Sequence, residues 1–478
     1  MNRNRSPFRD GRNFTEHLDI KNKRVLVVGL GKSGVAAATF LKDRGARVTV
    51  SDAKTEDQLR SAIPALLDKG ISVESGGHGE RTFRDQDLIV VSPGVPGDVP
   101  QLEKARSAGI PIIGEVELAS RFLRGHIIAI TGSNGKTTTT ALAGDVIGMG
   151  GYEVLVGGNI GTPAISLVAD ATSDTYNVLE ISSFQLESIQ TFHPEIAVIL
   201  NITPDHLDRH HSFDAYVQAK SRIFENQTAQ DHAVLNADDS TCAGLAGKSK
   251  APVHCFSRRK EVERGAFVRD GKVFWRDESG DQEVMPVSGI TLKGAHNLEN
   301  ALAAVCVGRI VGCEPHRIRR AVEEFKAVEH RLEYVTTIQG VEYYNDSKAT
   351  NVDATIKALE AFPGNIHIIL GGKDKGSDYS VLKDLLHERA KRVYTIGAAA
   401  EKIESQISGA VPVFRAETLE TAVKRAAESA ASGDIVLLAP ACASFDQFES
   451  YEHRGRVFKE AVQALAARKT PSEVGGAA

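Results

Sequence analysis

The chain has no run of about 20 consecutive apolar residues, the length a membrane-spanning helix needs. Nor has it a surplus of positive charge: its net charge of −5 at pH 7 argues against a polyanion-binding surface and against nucleic acid as a partner. Cysteine is sparse. Cys242, Cys255, Cys306, Cys313 and Cys442 show no metal-ligand spacing and fit reduced thiols rather than a disulfide framework. No apolar signal-peptide core stands at the N-terminus, and no short repeat or low-complexity tract interrupts the chain. These absences lead to the expectation of a cytoplasmic protein with no membrane and no nucleic acid among its partners.

What is present is a composition of the ordinary globular kind, 42% hydrophobic and 25% charged. At 478 residues it exceeds what one core can organise, so three domains are expected. Short apolar runs alternate with helical patterns, which predicts α/β domains with parallel sheets. The reading places a disordered tail over 1–20, a Rossmann-like domain over 21–114, a P-loop-like ATPase α/β domain over 115–327, a second Rossmann-like domain over 328–469, and another disordered tail over 470–478. Asp270-Gly271, between two strand-like runs, predicts a hairpin within the middle domain.

The densest chemical signal is Thr131-Gly132-Ser133-Asn134-Gly135-Lys136-Thr137, followed by Thr138 and arriving after the apolar run 126–130. Backbone N–H groups of a glycine turn at a helix start converge on phosphate oxygens, a lysine adds charge, and a hydroxyl reaches magnesium. The usual P-loop spacing fails, because Ile130 stands five positions before Gly135 and Gly132 supplies the early glycine. Earlier in the chain, Gly29, Gly31 and Gly34 with Asp52 satisfy a dinucleotide fingerprint, which fits either NAD or another nucleotide diphosphate. A dehydrogenase, though, has no use for a second phosphate loop.

Glu180 ends an apolar strand, and Asp205, His206 and Asp208 follow another, so both carboxylates and imidazole are offered to a metal at strand ends. Lys220 is written onto the apolar stripe formed by Phe213, Tyr216, Val217, Ile223 and Phe224. It is either a snorkelling lysine or a buried amine whose depressed pKa leaves it neutral and able to take up CO₂ as a carbamate.

The ordered motifs GSNGKT at 132–137, GGNIG at 157–161, LEISSFQL at 179–186, Asp205-His206, Tyr216 to Lys220, NADD at 236–239, GAHNLEN at 294–300 and HRLE at 330–333 together resemble the Mur ligase family. NDSKATN at 345–351 and PACASFDQF at 440–448 are similar to its D-glutamate-adding branch. The resemblance implies an ATP-dependent amide ligase that uses ATP and Mg2+ to join D-glutamate to UDP-N-acetylmuramoyl-L-alanine. It implies catalytic roles for Lys136, Glu180, His206 and Lys220, with Thr137, Glu180, His206 and Lys220 serving the metal sites. ATP falls to Gly132, Asn134, Gly135, Lys136, Thr137, Thr138, Asn297, Asn300, Arg331 and Asp346. By the same resemblance, the UDP-sugar meets Gly31, Lys32, Ser33, Asp52, Ser92, Asn159 and His206, and D-glutamate meets Lys348, Thr350, Lys375, Ser444 and Tyr451. Tyr451 stands where the family pattern has phenylalanine. A monomer is expected, with domains closing over the reaction to protect an acyl phosphate from water. The rival readings are a ligase for another amino acid, a folylpolyglutamate synthase, a nicotinamide dehydrogenase and a nucleotide sensor.

Overall fold

The computed structural model describes residues 18–469 except 61, 160, 293 and 327. Of the tails expected at 1–20 and 470–478, residues 1–17 and 470–478 lie outside the described residues. Ile20, expected in the tail, is instead 5% exposed and packs into the core of the first sheet, so the ordered part starts earlier than the polar composition suggests.

Apolar runs buried on both faces make the central strands of three sheets. The first sheet takes β1 (Arg24–Val28), β2 (Arg47–Asp52), β3 (Ser72–Ser75), β4 (Leu88–Val91) and β5 (Ile112–Gly114) in the parallel order β3-β2-β1-β4-β5. Val25 to Val28 are fully buried, as a central parallel strand requires. The helix Lys32–Asp43 starts directly from the glycine turn, with Gly31 as its cap.

The second sheet is built from β6 (His126–Thr131), β7 (Val154–Gly158), β8 (Tyr176–Glu180), β9 (Ile196–Ile199), β10 (His232–Asn236), β11 (Val253–Ser257), β12 (Gly265–Arg269), β13 (Lys272–Asp277) and β14 (Gly280–Pro286). Its order is β14-β13-β12-β11-β10-β9-β6-β8-β7, parallel from β12 to β7. The last two strands run antiparallel. The predicted hairpin is present: Asp270 and Gly271 take φ of 50° and 71°, the left-handed pair that a two-residue turn needs. Edge strand β14 carries no apolar alternation at Asp281-Gln282-Glu283, all exposed, and periodicity could not reveal it. The expected helix 213–224 is an α-helix, Phe213–Ser221, finished by a 3₁₀ turn, Arg222–Phe224.

The third sheet comprises β15 (Glu333–Ile338), β16 (Val341–Asn345), β17 (Ile366–Gly371), β18 (Ala390–Ile396), β19 (Val413–Glu417) and β20 (Ile435–Leu438), in the order β15-β16-β20-β17-β18-β19. Only edge strand β15 is antiparallel. Apolar clusters cover both faces, one including Leu359, Ile368 and Leu386, the other Tyr343, Leu419 and Phe458.

The described residues form two compact units, one within 18–289 and 299–323, the other within 290–298 and 324–469. Within the first unit, a single apolar cluster runs from Val27 and Leu41 beside β1 through Leu118 and Ile165 to Leu179 and Ile199 of the second sheet. The first two sheets therefore share a core. Among the described residues no helix is long and apolar enough to cross a membrane.

Candidate active site

β6 lies between β8 and β9, so the loops after β6, β8, β9 and β10 open at one edge of the second sheet, where open α/β sheets bind their ligands. The loop after β6 ends at Gly135, which caps the helix Lys136–Met149 at φ 82°. A Cβ there would overlap Asn300 Oδ1, so glycine is required both by conformation and by space. Asn300 Oδ1 also accepts from Thr139 Oγ1 at 3.1 Å, which places it beneath the loop. A two-way clasp holds the loop from the other side: Asn134 N donates to Asn201 Oδ1 at 2.8 Å, and Asn201 Nδ2 donates to Asn134 O at 3.0 Å. Ser133 Oγ donates to Thr203 O at 2.9 Å and meets Tyr216 OH at 3.1 Å. Lys136 folds back onto its own loop, donating to Gly132 O and Ser133 O, both at 2.9 Å.

Glu180, 2% exposed at the end of β8, accepts from Thr137 Oγ1 at 2.7 Å and from Asn159 Nδ2 at 2.8 Å. The β8 and β6 loops thereby place a buried carboxylate beside the first turn of the phosphate-loop helix. Hard oxygen donors next to an anion cradle fit a magnesium ion rather than a soft metal. Asp205 and His206 follow β9. His206 takes φ 53°, a conformation that costs a residue other than glycine, and leads into the short helix Leu207–His210. Its Nε2 lies 3.6 Å from Asp205 Oδ2, and its ring meets the edge of Phe184.

Lys220 is 1% exposed. Its amine donates to Gly132 O at 2.8 Å, reaches Thr131 Oγ1 at 3.4 Å and lies 4.7 Å from the Tyr216 ring centroid. Burial first and the Lys136 charge second push its pKa well below the ordinary lysine value, against the opposing pull of Asp205, Cys242 and Glu180. The snorkelling alternative is set aside, since the amine points into the protein at the phosphate loop.

In the first sheet, the glycine turn is locked by the groups expected to meet the UDP-sugar. Asp52 accepts from Leu30 N at 2.6 Å and Lys54 N at 2.8 Å, and Ser92 Oγ donates to Gly29 O at 2.9 Å. A Cβ on Gly34 would overlap the Gly29 carbonyl, the close approach that this turn imposes. Gly31 caps the following helix, and Lys32 and Ser33 form its first turn. Arg209, two residues after Leu207, donates to Pro93 O at 2.8 Å and Val95 O at 3.2 Å and pairs with Glu187 at 2.9 Å. It lies 4.0 Å over Phe184 and so joins the His206 loop to the loop after β4.

The second unit holds Asn297, Arg331 and Asp346. Burial pushes the Asp346 carboxyl up to about 7 against the opposing charge of Arg331, and Asp346 Oδ1 accepts from Leu332 N at 3.2 Å. Lys348 Nζ sits 3.7 Å over the ring of Tyr451, while Tyr451 O accepts from Ser347 Oγ at 2.9 Å. Thr350 N donates to Lys348 O at 2.7 Å, closing that loop. Ser444 is buried after β20, where the neighbouring Ala443 forms a two-bond bridge with Lys373. Lys375 is exposed two residues beyond that bridge. Lys348 and Ser444 thus lie on adjoining loops after β16 and β20, Tyr451 opens the helix Tyr451–Lys469, and Lys375 lies on the loop after β17.

Comparison with known proteins matches this chain to the Mur ligase middle domain over residues 130–308, a Mur ligase MurD-like N-terminal domain over 23–114 and the Mur ligase glutamate ligase domain over 330–442. The chain belongs to the Mur ligase family. Among Mur ligases, it is 67% identical to the UDP-N-acetylmuramoylalanine--D-glutamate ligase of Koribacter versatilis, a match covering 94% of this chain and 99% of that one. It is 59% identical to the protein of the same name from Acidobacterium capsulatum, over 94% and 97%. A solved Mur ligase, the MurF ligase of Thermotoga maritima in complex with ADP, gives a TM-score of 0.59 at 17% identity, covering 95% of this chain and 98% of that one. At that identity the likeness speaks for the fold alone.

Several groups that shape this Mur ligase site escaped sequence reasoning. Asn201 and Arg209 stand on either side of Asp205-His206 after β9, but their hydrogen bonds run to main-chain carbonyls and amides, which no side-chain pattern encodes. Arg454, wholly buried, gives no signal at all: it occupies the polar-looking helix Tyr451–Lys469 and reads as a surface arginine.

Proposed function

We propose that this chain is the ATP-dependent amide ligase that joins D-glutamate to UDP-N-acetylmuramoyl-L-alanine, releasing ADP and phosphate, in the synthesis of peptidoglycan precursors. The observation that carries the reading is the convergence of Lys136, Thr137, Glu180 and Lys220 on one glycine loop. Identity of 67% along nearly the whole length to a D-glutamate ligase supports the choice of amino acid.

A carboxylate resists attack by an amine, so the alanyl carboxylate first attacks the γ-phosphate of ATP to give an acyl phosphate and ADP. The D-glutamate amine then adds to the acyl carbon, and phosphate leaves the tetrahedral intermediate as the amide forms. Lys136 and the N–H groups at the start of its helix hold the phosphates, lowering the repulsion between two anions. Magnesium, held by Thr137, Glu180 and His206 with Lys220 as a carbamate, would supply further charge neutralisation there. Lys348, Thr350, Lys375 and Ser444 offer cations and hydroxyls to a dicarboxylate amino acid. The UDP-sugar takes residues 21–114, ATP residues 115–327 and the amino acid residues 328–469.

Phosphate release measured with ATP, Mg2+ and UDP-N-acetylmuramoyl-L-alanine, against D-glutamate, L-glutamate, L-lysine, meso-diaminopimelate and D-alanyl-D-alanine, tests this reading. Turnover is expected with D-glutamate; preference for any other acceptor overturns the assignment.

A further inference from the structure

Arg454 is the largest fully buried side chain in the described protein, and its exposure is zero. No carboxylate pairs with it among the described residues. Its guanidinium is instead satisfied by the ends of three strands. Nη2 donates to Ser347 O at 2.8 Å and Cys442 O at 3.2 Å; Nη1 donates to Cys442 O at 3.1 Å, Ala443 O at 3.4 Å and Gly371 O at 3.5 Å; Nε donates to Ser347 Oγ at 3.0 Å. Each anchor lies on a loop that carries a residue of the amino-acid subsite. Ser347 precedes Lys348, Ala443 precedes Ser444, and Gly371 opens the loop to Lys375. Tyr451 belongs to the same knot, since the Ser347 hydroxyl that accepts from Nε donates to Tyr451 O. The Cys442 end is braced further, its thiol 3.0 Å from Tyr379 OH, which donates to Asp374 beside Lys375.

A buried cation is expensive, and neutral packing would join three loops at lower cost if joining were all that was required. Its direct partners are carbonyls and one hydroxyl rather than a carboxylate, with Asp446 acting on it at longer range, so its charge is left to act on whatever anion the loops receive. Planar and forked, guanidinium reaches several carbonyls at fixed angles, which an ammonium cannot.

We propose that Arg454 is the positioning residue of the D-glutamate subsite: it fixes the Lys348, Lys375 and Ser444 loops in register and lends its charge to binding of the dianionic amino acid. This rests on the ligase reading above. The test is steady-state kinetics with each substrate varied, on the full chain and on Arg454→Met, Arg454→Lys and Ser347→Ala, with thermal melting alongside. Arg454→Met should raise KM for D-glutamate by about 10-fold or more while KM for ATP and for the UDP-sugar changes by less than about 2-fold. Arg454→Lys should recover part of the loss, and Ser347→Ala, missing one acceptor, should raise the same KM by about 3-fold. If Arg454→Met does not fold, the lysine and alanine variants decide. Wild-type KM for D-glutamate in both of these, or a loss spread equally over all three substrates, overturns the positioning role alone. Absence of D-glutamate turnover in the unsubstituted chain overturns the ligase reading and this inference with it.

Discussion

Lys136 and Lys220 donate to the same acceptor, the Gly132 carbonyl oxygen, at 2.9 and 2.8 Å. Two cations cannot both be favoured on one carbonyl, and the wholly buried amine of Lys220 is the one whose protonation is disfavoured. Lys136 is half-buried at the start of its helix. Burial and the neighbouring Lys136 charge thus disfavour the protonated form of Lys220, as a nucleophilic amine requires.

Lys220→Ala is expected to lower phosphate release by about 100-fold or more, the scale of losing one preorganised electrostatic group. Short carboxylates such as formate or acetate should restore part of the rate by standing in for a carbamate. A variant that keeps the wild-type rate sinks the carbamate reading.

Gly135→Ala places a Cβ against Asn300 Oδ1 at a residue with φ 82°. A loss of about 1–3 kcal/mol in stability and a sharp drop in ATP affinity are expected. Adding Asn300→Ala should remove the overlap but not the backbone strain, so the double variant should stay below wild type in both melting temperature and nucleotide titration.

Arg209→Ala frees the carbonyls of Pro93 and Val95 and loosens the loop that carries Ser92. KM for the UDP-sugar should rise by about 10-fold, as for a lost charged hydrogen-bond donor, with KM for D-glutamate unchanged. Equal rises in both would refute a role confined to the first subsite.

Burial pushes the Glu115 carboxyl from 4.5 up to about 7, although Ile165 N donates to its Oε1 at 2.8 Å. The folded chain therefore holds this proton more tightly than the unfolded one. The stabilisation is full below about 4.5 and is lost as pH rises through about 7, where a charged carboxylate must be kept buried. Glu115→Gln should flatten that decline and gain about 1–3 kcal/mol at about pH 8, read from urea unfolding across the range. An unchanged pH slope would show that the carboxyl titrates normally.

The sequence made the strands and the phosphate loop legible because both depend on local pattern: Val25 to Val28 and Ile128 to Ile130 are buried on both faces, and Gly135-Lys136 opens a helix. Lys220 was legible through helical spacing, and Asp270-Gly271 through turn chemistry. The missing parts have a common cause. Asp52 is visible as an acid after a strand, yet what it does is accept Leu30 N and Lys54 N. Arg454 likewise bonds to carbonyls at the end of β17 and just after β16 and β20, far apart in the chain. Such partners exist only once the sheet has aligned its strand ends.

The apolar cluster that runs unbroken from β1 to β9 bears on how such enzymes can be recombined. A chimera cut at residue 114 would leave Leu118 and Ile165 facing a foreign surface. An exchangeable cassette built on the first sheet must carry the helix Glu115–Ser120 and the 3₁₀ segment Ala164–Ala169 along with it. The unit of inheritance in this half of the molecule is thus a pair of sheets, and the sequence border between them is no seam.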